Sequence, residues 1–282
     1  MGVVCWNTRE LTLDALARLV AASADVDLRV LVRDNGSTDG TAAAIRARFP
    51  DIEVDEGDNV GFARGVNTLL ARSSAAWFVT LNSDAWPEPG ALRRLVDVAA
   101  ARPRAAAIAP LLRRPDGVVE PSGHDLPSLL GALSSALRPQ PWRAPTQPHE
   151  IGWAVGAAVL LRREAVDALG GFEPSLFMYA EDLEWCWRAR RSGWQIWLAP
   201  DAVVRHVGNA SGSQRWGEAR ERVMIANANH VTRRYLGRTR GAAWQGLNAA
   251  GALRAAASAG TTDLRHFWWR QVPAHLGLQR GC

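Results

Sequence analysis

Three carboxylates, Glu181, Asp182 and Glu184, fall within four positions of the stretch YAEDLEWCWRARRSGW. A carboxylate so placed could act as a general base that takes a proton from a hydroxyl. It could equally belong to the acidic first turn of a helix, stabilised by the helix dipole. A second constellation, WFVTLNSDAWPEPG, is an apolar run that ends in Asn82, Ser83 and Asp84. Mg2+ and Mn2+ favour one or two carboxylates together with phosphate oxygens. Asp84 could therefore hold such a cation against a nucleotide diphosphate, or cap a helix ahead of Pro87 and Pro89. In VRDNGSTDGT, Asp34 follows an apolar run and could accept hydrogen bonds from the imide or ribose of a nucleotide. Gly36 permits the tight turn that follows, although Asp, Asn, Gly and Ser are also the usual turn formers. In NVGFARGVN, Gly61 and Gly65 allow close backbone approach at a helix start. Arg64 could then reach a diphosphate or simply lie on the surface. His206 stands 24 residues beyond Asp182, at the end of AVVRH, as a metal ligand or a structural histidine.

These residues need elements to position them. Gly2 to Trp6 reads as a buried strand, with Asn7 and Thr8 as N-caps of a helix from Arg9 to Ala22. Strands follow at Leu28–Val32, Ile52–Val54, Trp77–Leu81 and Ala105–Ala109, alternating with helices at Thr41–Phe49, Phe62–Ala71 and Ala91–Ala101. Such alternation predicts a parallel sheet with helices on both faces, and ligands bound beyond the carboxyl ends of the strands. Three polar clusters sit at those ends: Asn7-Thr8-Arg9, Asp34 to Ser37 and Asn82-Ser83-Asp84. Residues 121 to 150 hold six prolines and read as an irregular or partly helical insertion. An apolar strand, Ala154–Leu161, comes next, then a short helix to Leu169 and the turn Gly170-Gly171. Beyond His206 the chain turns polar, then becomes helical from Gly217 to Ala257.

Composition bounds the partners. The 282 residues are 48% apolar, enough for a sizeable core. All the basic residues are arginines, and the net charge of +5 suits anionic partners. No basic run interleaved with aromatics points to nucleic acid. Cys5, Cys186 and Cys282 form neither a disulfide framework nor a CxxC metal site, which fits a reducing compartment. A strand that begins by Val3 leaves no room for a signal peptide, and no apolar run approaches the roughly 20 residues of a membrane span.

Taken in order, these stretches resemble glycosyltransferase family 2, the inverting enzymes of the GT-A fold, and within it a rhamnosyltransferase-like branch. The resemblance runs through VVCWNTRELTLDAL, DNGSTDGT, NVGFARGVN, LNSDAWPEPGAL, the long block GWAVGAAVLLRREAVDALGGFEPSLFMYAEDLEWCWRARRSGW, and VRHVGNAS. It covers residues 3 to 211. It implies an α/β GT-A fold with a Rossmann-like, mostly parallel central sheet flanked by helices and a helical C-terminal extension. The implied domains are a catalytic one over 1–211 and an extension over 212–282. The catalytic part divides into a nucleotide-sugar half, 1–110, and an acceptor half, 111–211, which carries the Pro-rich insertion.

The implied chemistry is transfer of a sugar from a nucleotide diphosphate to a hydroxyl with inversion. The resemblance makes Asp182 the base, with Glu181 its neighbour and rival and Glu184 flanking. A base at a helix N-terminus is expected to stay ionised near neutral pH. Asp84 and His206 become the pair for Mg2+ or Mn2+, with Asn82 where many relatives carry a first Asp. The nucleotide-sugar pocket takes in Cys5, Trp6, Asn7, Asp34, Gly36, Arg64, Asn82, Ser83 and Asp84. Trp153, Gly156, Tyr179 and Trp185 fall on the acceptor side, and Arg188 becomes a structural partner for a nearby carboxylate. The implied donor is dTDP-rhamnose or another dTDP- or UDP-sugar. The implied acceptor is a glycan, a lipid-linked sugar or a glycosylated natural product. The expected location is the cytoplasm or the inner face of the plasma membrane. The tail HFWWRQVPAHLGL could touch that membrane, pack back on the catalytic domain or serve a homodimer. The rival reading is a non-catalytic nucleotide-sugar-binding protein of the same fold. A nucleotidyltransferase would share the sheet but leaves Glu181-Asp182 without a task.

Overall fold

A computed structural model describes residues 1–208 and 214–278. The last residues of VRHVGNAS and Cys282 lie outside the described residues. The first strand, β1 (Gly2–Cys5), is buried on both faces, as a continuous apolar run in a parallel sheet must be. α1 (Arg9–Ala22) buries Leu13, Leu16 and Leu19 at helical spacing. There follow β2 (Leu31–Asp34), α2 (Thr41–Arg48), β3 (Glu53–Glu56), α3 (Phe62–Ala71), β4 (Trp77–Asn82), β5 (Ala85–Pro87), α4 (Ala91–Ala100) and β6 (Ala105–Arg113). β7 (Val119–Glu120) precedes the Pro-rich insertion, which contains β8 (Gly123–His124) and α5 (Leu129–Leu137) and leads into β9 (His149–Ile151). After it come β10 (Trp153–Ala154), β11 (Ala158–Arg162), α6 (Arg163–Leu169), α7 (Glu181–Arg191) and β12 (Gln195–His206).

All the strands read from sequence shift at one end or both, and two of the shifts bear on the site or the sheet register. The second strand starts at Leu31, not Leu28, because β1 begins at Gly2 and pairs it with Leu31. Ahead of it, Arg29 O accepts from Met1 N at 2.7 Å and Val30 O from Glu53 N at 3.3 Å. The predicted strand from Ala154 breaks after β10 and resumes at Ala158. Gly156, in the break, turns its N–H to a side chain on α7.

The central sheet is mostly parallel, in the order β3-β2-β1-β4-β11-β6-β12-β5. β1, β2, β3 and β4 run parallel, whereas β11 is antiparallel to both β4 and β6. β4 and β6 therefore point the same way, and β12 runs parallel to β6. Three consequences fix the site. The carboxyl ends of β1, β2 and β4 lie on one edge. The carboxyl end of β12, with His206, reaches that same edge. The amino end of the reversed strand β11 also starts there, next to Gly156.

The chain divides into two compact units. The first comprises residues 1–124 and 143–214 and holds the sheet. Its core joins Leu13, Leu16 and Leu19 of α1 to Val3, Val32, Leu81, Ile108 and Leu160 of the strands. The second comprises residues 125–142 and 215–282. It is helical: α5, a 3-10 turn at Gly217–Ala219, α8 (Arg220–Leu236), α9 (Arg238–Ser258) and α10 (Thr262–His275). Ala249, Ala252 and Val272 form its small core, and Asn229 Nδ2 donates to Ala274 O at 2.9 Å. Among the described residues no helix is long and apolar enough to cross a membrane.

Candidate active site

The loops after β1, β2 and β4 converge as their topology requires. Ser37 Oγ accepts from Asn7 N at 2.9 Å, and Asn7 Oδ1 accepts from Thr38 N at 2.7 Å. Thr8 Oγ1 and Ser83 Oγ lie 3.2 Å apart. Asp34, 2% exposed, accepts from Ser37 N at 2.7 Å and so closes its own turn. That turn needs Gly36 at φ +77°, where an added Cβ would meet Gly57 O at 3.3 Å. Asn7, Asp34, Gly36, Asn82, Ser83 and Asp84 thus come together, and Trp6, the residue before Asn7, is half-buried. Two members of the expected pocket are placed differently. The Cys5 side chain belongs to the core, 1% exposed, with Sγ toward Arg33 O at 3.6 Å. Arg64 lies exposed on α3 and spends its Nε on Pro174 O at 2.9 Å.

At the shared edge, His206 Nε2 faces Asp84 Oδ1 at 3.6 Å and Asn82 Nδ2 at 3.4 Å. Its Nδ1 lies 3.0 Å from Glu120 Oε2. Burial works against the charged imidazole, but the Glu120 hydrogen bond and the charges of Asp84 and Glu120 outweigh it and raise its pKa. Among the described residues no cluster of three or more His, Cys, Asp or Glu side chains forms a closed metal cage. An open pair is nonetheless what a phosphate-bound Mg2+ or Mn2+ uses, because phosphate oxygens and water complete its shell. A proton on Nδ1, held by Glu120, leaves the Nε2 lone pair toward Asp84, the arrangement of a metal-binding imidazole with its carboxylate support. The donor set therefore fits a divalent cation. Glu120 was missed by the sequence reading, since a lone Glu among prolines carries no local signal.

The acidic cluster divides by environment. Glu184, 1% exposed, pairs with Arg188 at 2.8 Å and is structural. Asp182 Oδ2 accepts from Gly156 N at 2.7 Å and Oδ1 from Leu183 N at 2.7 Å. A side chain at 156 would crowd that carboxylate, since an added Cβ falls 3.2 Å from Oδ2. Burial pushes the Asp182 pKa up, and the two N–H groups pull it part of the way back. The shift runs against the helix dipole, yet a value of about 6 still leaves most of the carboxylate ionised at neutral pH, as expected from sequence. Glu181 is pushed up further, by burial and then by the neighbouring Asp182 charge, and its Oε2 has no hydrogen-bond partner. The pair thus ionises in steps, and the two N–H donors favour placing the first negative charge on Asp182.

The backbone entering α7 is strained. Tyr179 and Ala180 both adopt positive φ, 72° and 67°. Such conformations persist only where surroundings over-determine them. Here Phe177 O accepts from Phe62 N at 2.7 Å, and Asn67 Nδ2 donates to Phe172 O at 2.8 Å. Asn35 Nδ2 also donates to Gly61 O at 3.1 Å. The loop before Asp182 is thereby stapled to the helix that follows the NVGF turn. Trp185, expected on the acceptor wall, is instead 1% exposed, with its indole N–H on Gly170 O and its ring edge-on to Phe172. It supports the loop from beneath because α7 buries that face in the core. Trp153 is half-buried and stacks on His124, ring centroids 4.9 Å apart.

The sequence description "Glycosyltransferase like family 2" matches residues 2–226. Over 208 residues the chain is 35% identical to the N-acetylglucosaminyl-diphospho-decaprenol L-rhamnosyltransferase of Mycobacterium tuberculosis, in each of two strains. That similarity spans 65% of this chain and 68% of the relative. Among solved structures, the mannosyltransferase PcManGT from Pyrobaculum calidifontis in complex with GDP-Man and Mn2+ superposes with a TM-score of 0.64 at 22% identity. It covers 98% of this chain and 83% of its own. GalNAc-T7 with UDP, GalNAc and Mn2+ gives 0.60 at 14% identity, over 95% and 53% of the two chains. At these identities the likeness is one of fold.

Proposed function

The chain belongs to glycosyltransferase family 2 and has the GT-A fold, and from that premise we propose that it transfers rhamnose from dTDP-rhamnose, with inversion, to a lipid-linked acceptor. The acceptor class follows the 35%-identical relative, whose name specifies an N-acetylglucosaminyl diphospholipid. Catalysis belongs to the first unit. Asp182 takes the proton of the acceptor hydroxyl, and the observation that carries this assignment is the carboxylate held by two backbone N–H groups at the start of α7. Those bonds fix its orientation while burial strengthens it as a base. Glu181 holds its proton and keeps a second negative charge out of the pocket. Asn7, Asp34 and Ser83 line the nucleotide side, with Trp6 against the base. Trp153 and Tyr179 line the acceptor side, and Gly156 seats the catalytic carboxylate. Asp84 and His206 would hold Mg2+ or Mn2+, with Glu120 orienting the imidazole. A cation there supplies charge stabilisation to the departing diphosphate.

The test is a thermal-shift panel of dTDP-, UDP- and GDP-sugars with Mn2+, followed by a transfer assay on a polyprenyl-diphosphate N-acetylglucosamine. The dTDP-sugar should raise the melting temperature most, because a ligand of the folded state stabilises it. The product should be a rhamnosylated lipid of inverted anomeric configuration. Stabilisation by none of the three would contradict any nucleotide-sugar function, and stabilisation by dTDP-rhamnose without turnover would contradict the catalytic one.

A further inference from the structure

We infer that the helical unit docks on an anionic lipid bilayer through an outward-facing leucine stripe on α5 and the arginines around it. The inference does not rest on the donor or acceptor assigned above. α5 packs in reverse. A surface helix normally turns its large apolar residues inward, yet α5 buries only Ala132. Leu130, Leu133 and Leu137 share a face by their spacing of three and four. They are 81%, 43% and 67% exposed. The alanine side makes the contact to α9: an added Cβ on Gly251 would lie 3.5 Å from Ala136 Cα, and Arg254 Nε donates to Ala136 O at 2.7 Å. Leu253, also exposed, is next to that contact. On α10, Leu264, Phe267 and Trp269 are exposed as well, interleaved with Arg265 and Arg270.

Charge selects the occupant. The helical unit carries twelve arginines against four carboxylates, a net charge of eight, whereas the whole chain carries +5. The sheet-bearing unit is therefore net negative by three, and the positive excess is confined to the unit that shows the leucines. Arg138 directly follows Leu137 and Arg254 reaches Ala136 O on the same helix, and both are exposed. Apolar side chains seated between cationic ones suit the boundary of acyl chains and anionic headgroups, where arginine stems lie along apolar surface and their heads stay wet. A second copy of the same unit would bring like charges together. Most of this unit also lies beyond the family match, which ends at residue 226. The stripe on α5 lies inside that match, whereas α9 and α10 lie beyond it.

The experiment is co-sedimentation of the full chain with phosphatidylcholine vesicles, with and without phosphatidylglycerol, across a salt series. Binding should require the anionic lipid and weaken as salt rises. The variant L130S/L133S/L137S should lower partitioning about tenfold or more, with the melting temperature and oligomeric state unchanged. Arg138→Gln with Arg254→Gln should weaken binding to anionic vesicles and reduce its salt dependence. No binding to anionic vesicles would overturn the proposal, as would unchanged partitioning of the leucine variant. A wild-type dimer that the leucine variant converts to monomer would give the face to a second copy instead.

Discussion

At the scale of residues, Glu181 and Asp182 are neighbouring acids in unlike surroundings. Asp182 has two N–H donors and Glu181 an oxygen without a partner. That asymmetry predicts a pH profile. Because the Asp182 pKa is raised by burial, kcat/KM should rise with pH and reach its plateau later than an ordinary Asp, of value 3.8, would allow. The sign for stability is opposite. The native chain keeps the Glu181 proton after the unfolded chain has lost it, so the contribution is complete below the ordinary value of 4.5 and lost as pH rises toward the native pKa. Glu181→Gln should therefore flatten the fall in melting temperature between acid and neutral pH while leaving most activity. A variant as pH-sensitive as wild type would contradict the assignment. Gly156→Ala should push Asp182 from its seat and lower kcat more than it changes KM for the donor. Glu120→Gln should lower the His206 pKa, because Glu120 raises it, and should weaken Mn2+ activation by about 10–100-fold.

At the scale of elements, α7 and the loop before it depend on the NVGF turn far away in sequence. Gly61 sits at φ +88°, and a Cβ there would come within 2.4 Å of Phe177 O. Gly61→Ala should cost about 1–3 kcal/mol by denaturant unfolding and reduce activity beyond the loss of stability, because the strained Tyr179-Ala180 backbone loses its staple. A neutral effect would show that the loop holds its shape unaided. Much of this was legible in sequence. The apolar runs and their helical spacings gave most elements, and strand ends gave the convergence of Asn7, Asp34 and Asp84. What was hidden depends on pairing across distance. β11 had to be reversed for Gly156 to meet Asp182, and no local pattern carries strand direction. Trp185 read as a binding aromatic because a one-dimensional string does not show which face of α7 is buried. Glu120 acquires its role only when β7 pairs with β6, whose strand partner β12 ends at His206.

At the scale of the whole molecule, two units divide charge and chemistry. The sheet-bearing unit is net acidic and brings His206, Asp84 and Asn82 together at one edge, where Asp84 and His206 are the proposed cation ligands. Chelation should therefore abolish transfer and excess Mn2+ or Mg2+ restore it, and activity unchanged in EDTA would remove Asp84 and His206 from the metal role. The helical unit collects the positive excess. Its α5 comes from the Pro-rich insertion, and the linear order gave no sign that residues 125–142 group with the C-terminal helices. The central claim is that one carboxylate, Asp182, takes the acceptor proton. The most direct measurement is kcat/KM for sugar transfer by Asp182→Asn beside Glu181→Gln, with donor binding followed by thermal shift in both. The account predicts a loss of about 10²–10⁴-fold for Asp182→Asn with donor binding retained, and a much smaller loss for Glu181→Gln. An active Asp182→Asn beside a dead Glu181→Gln would contradict it.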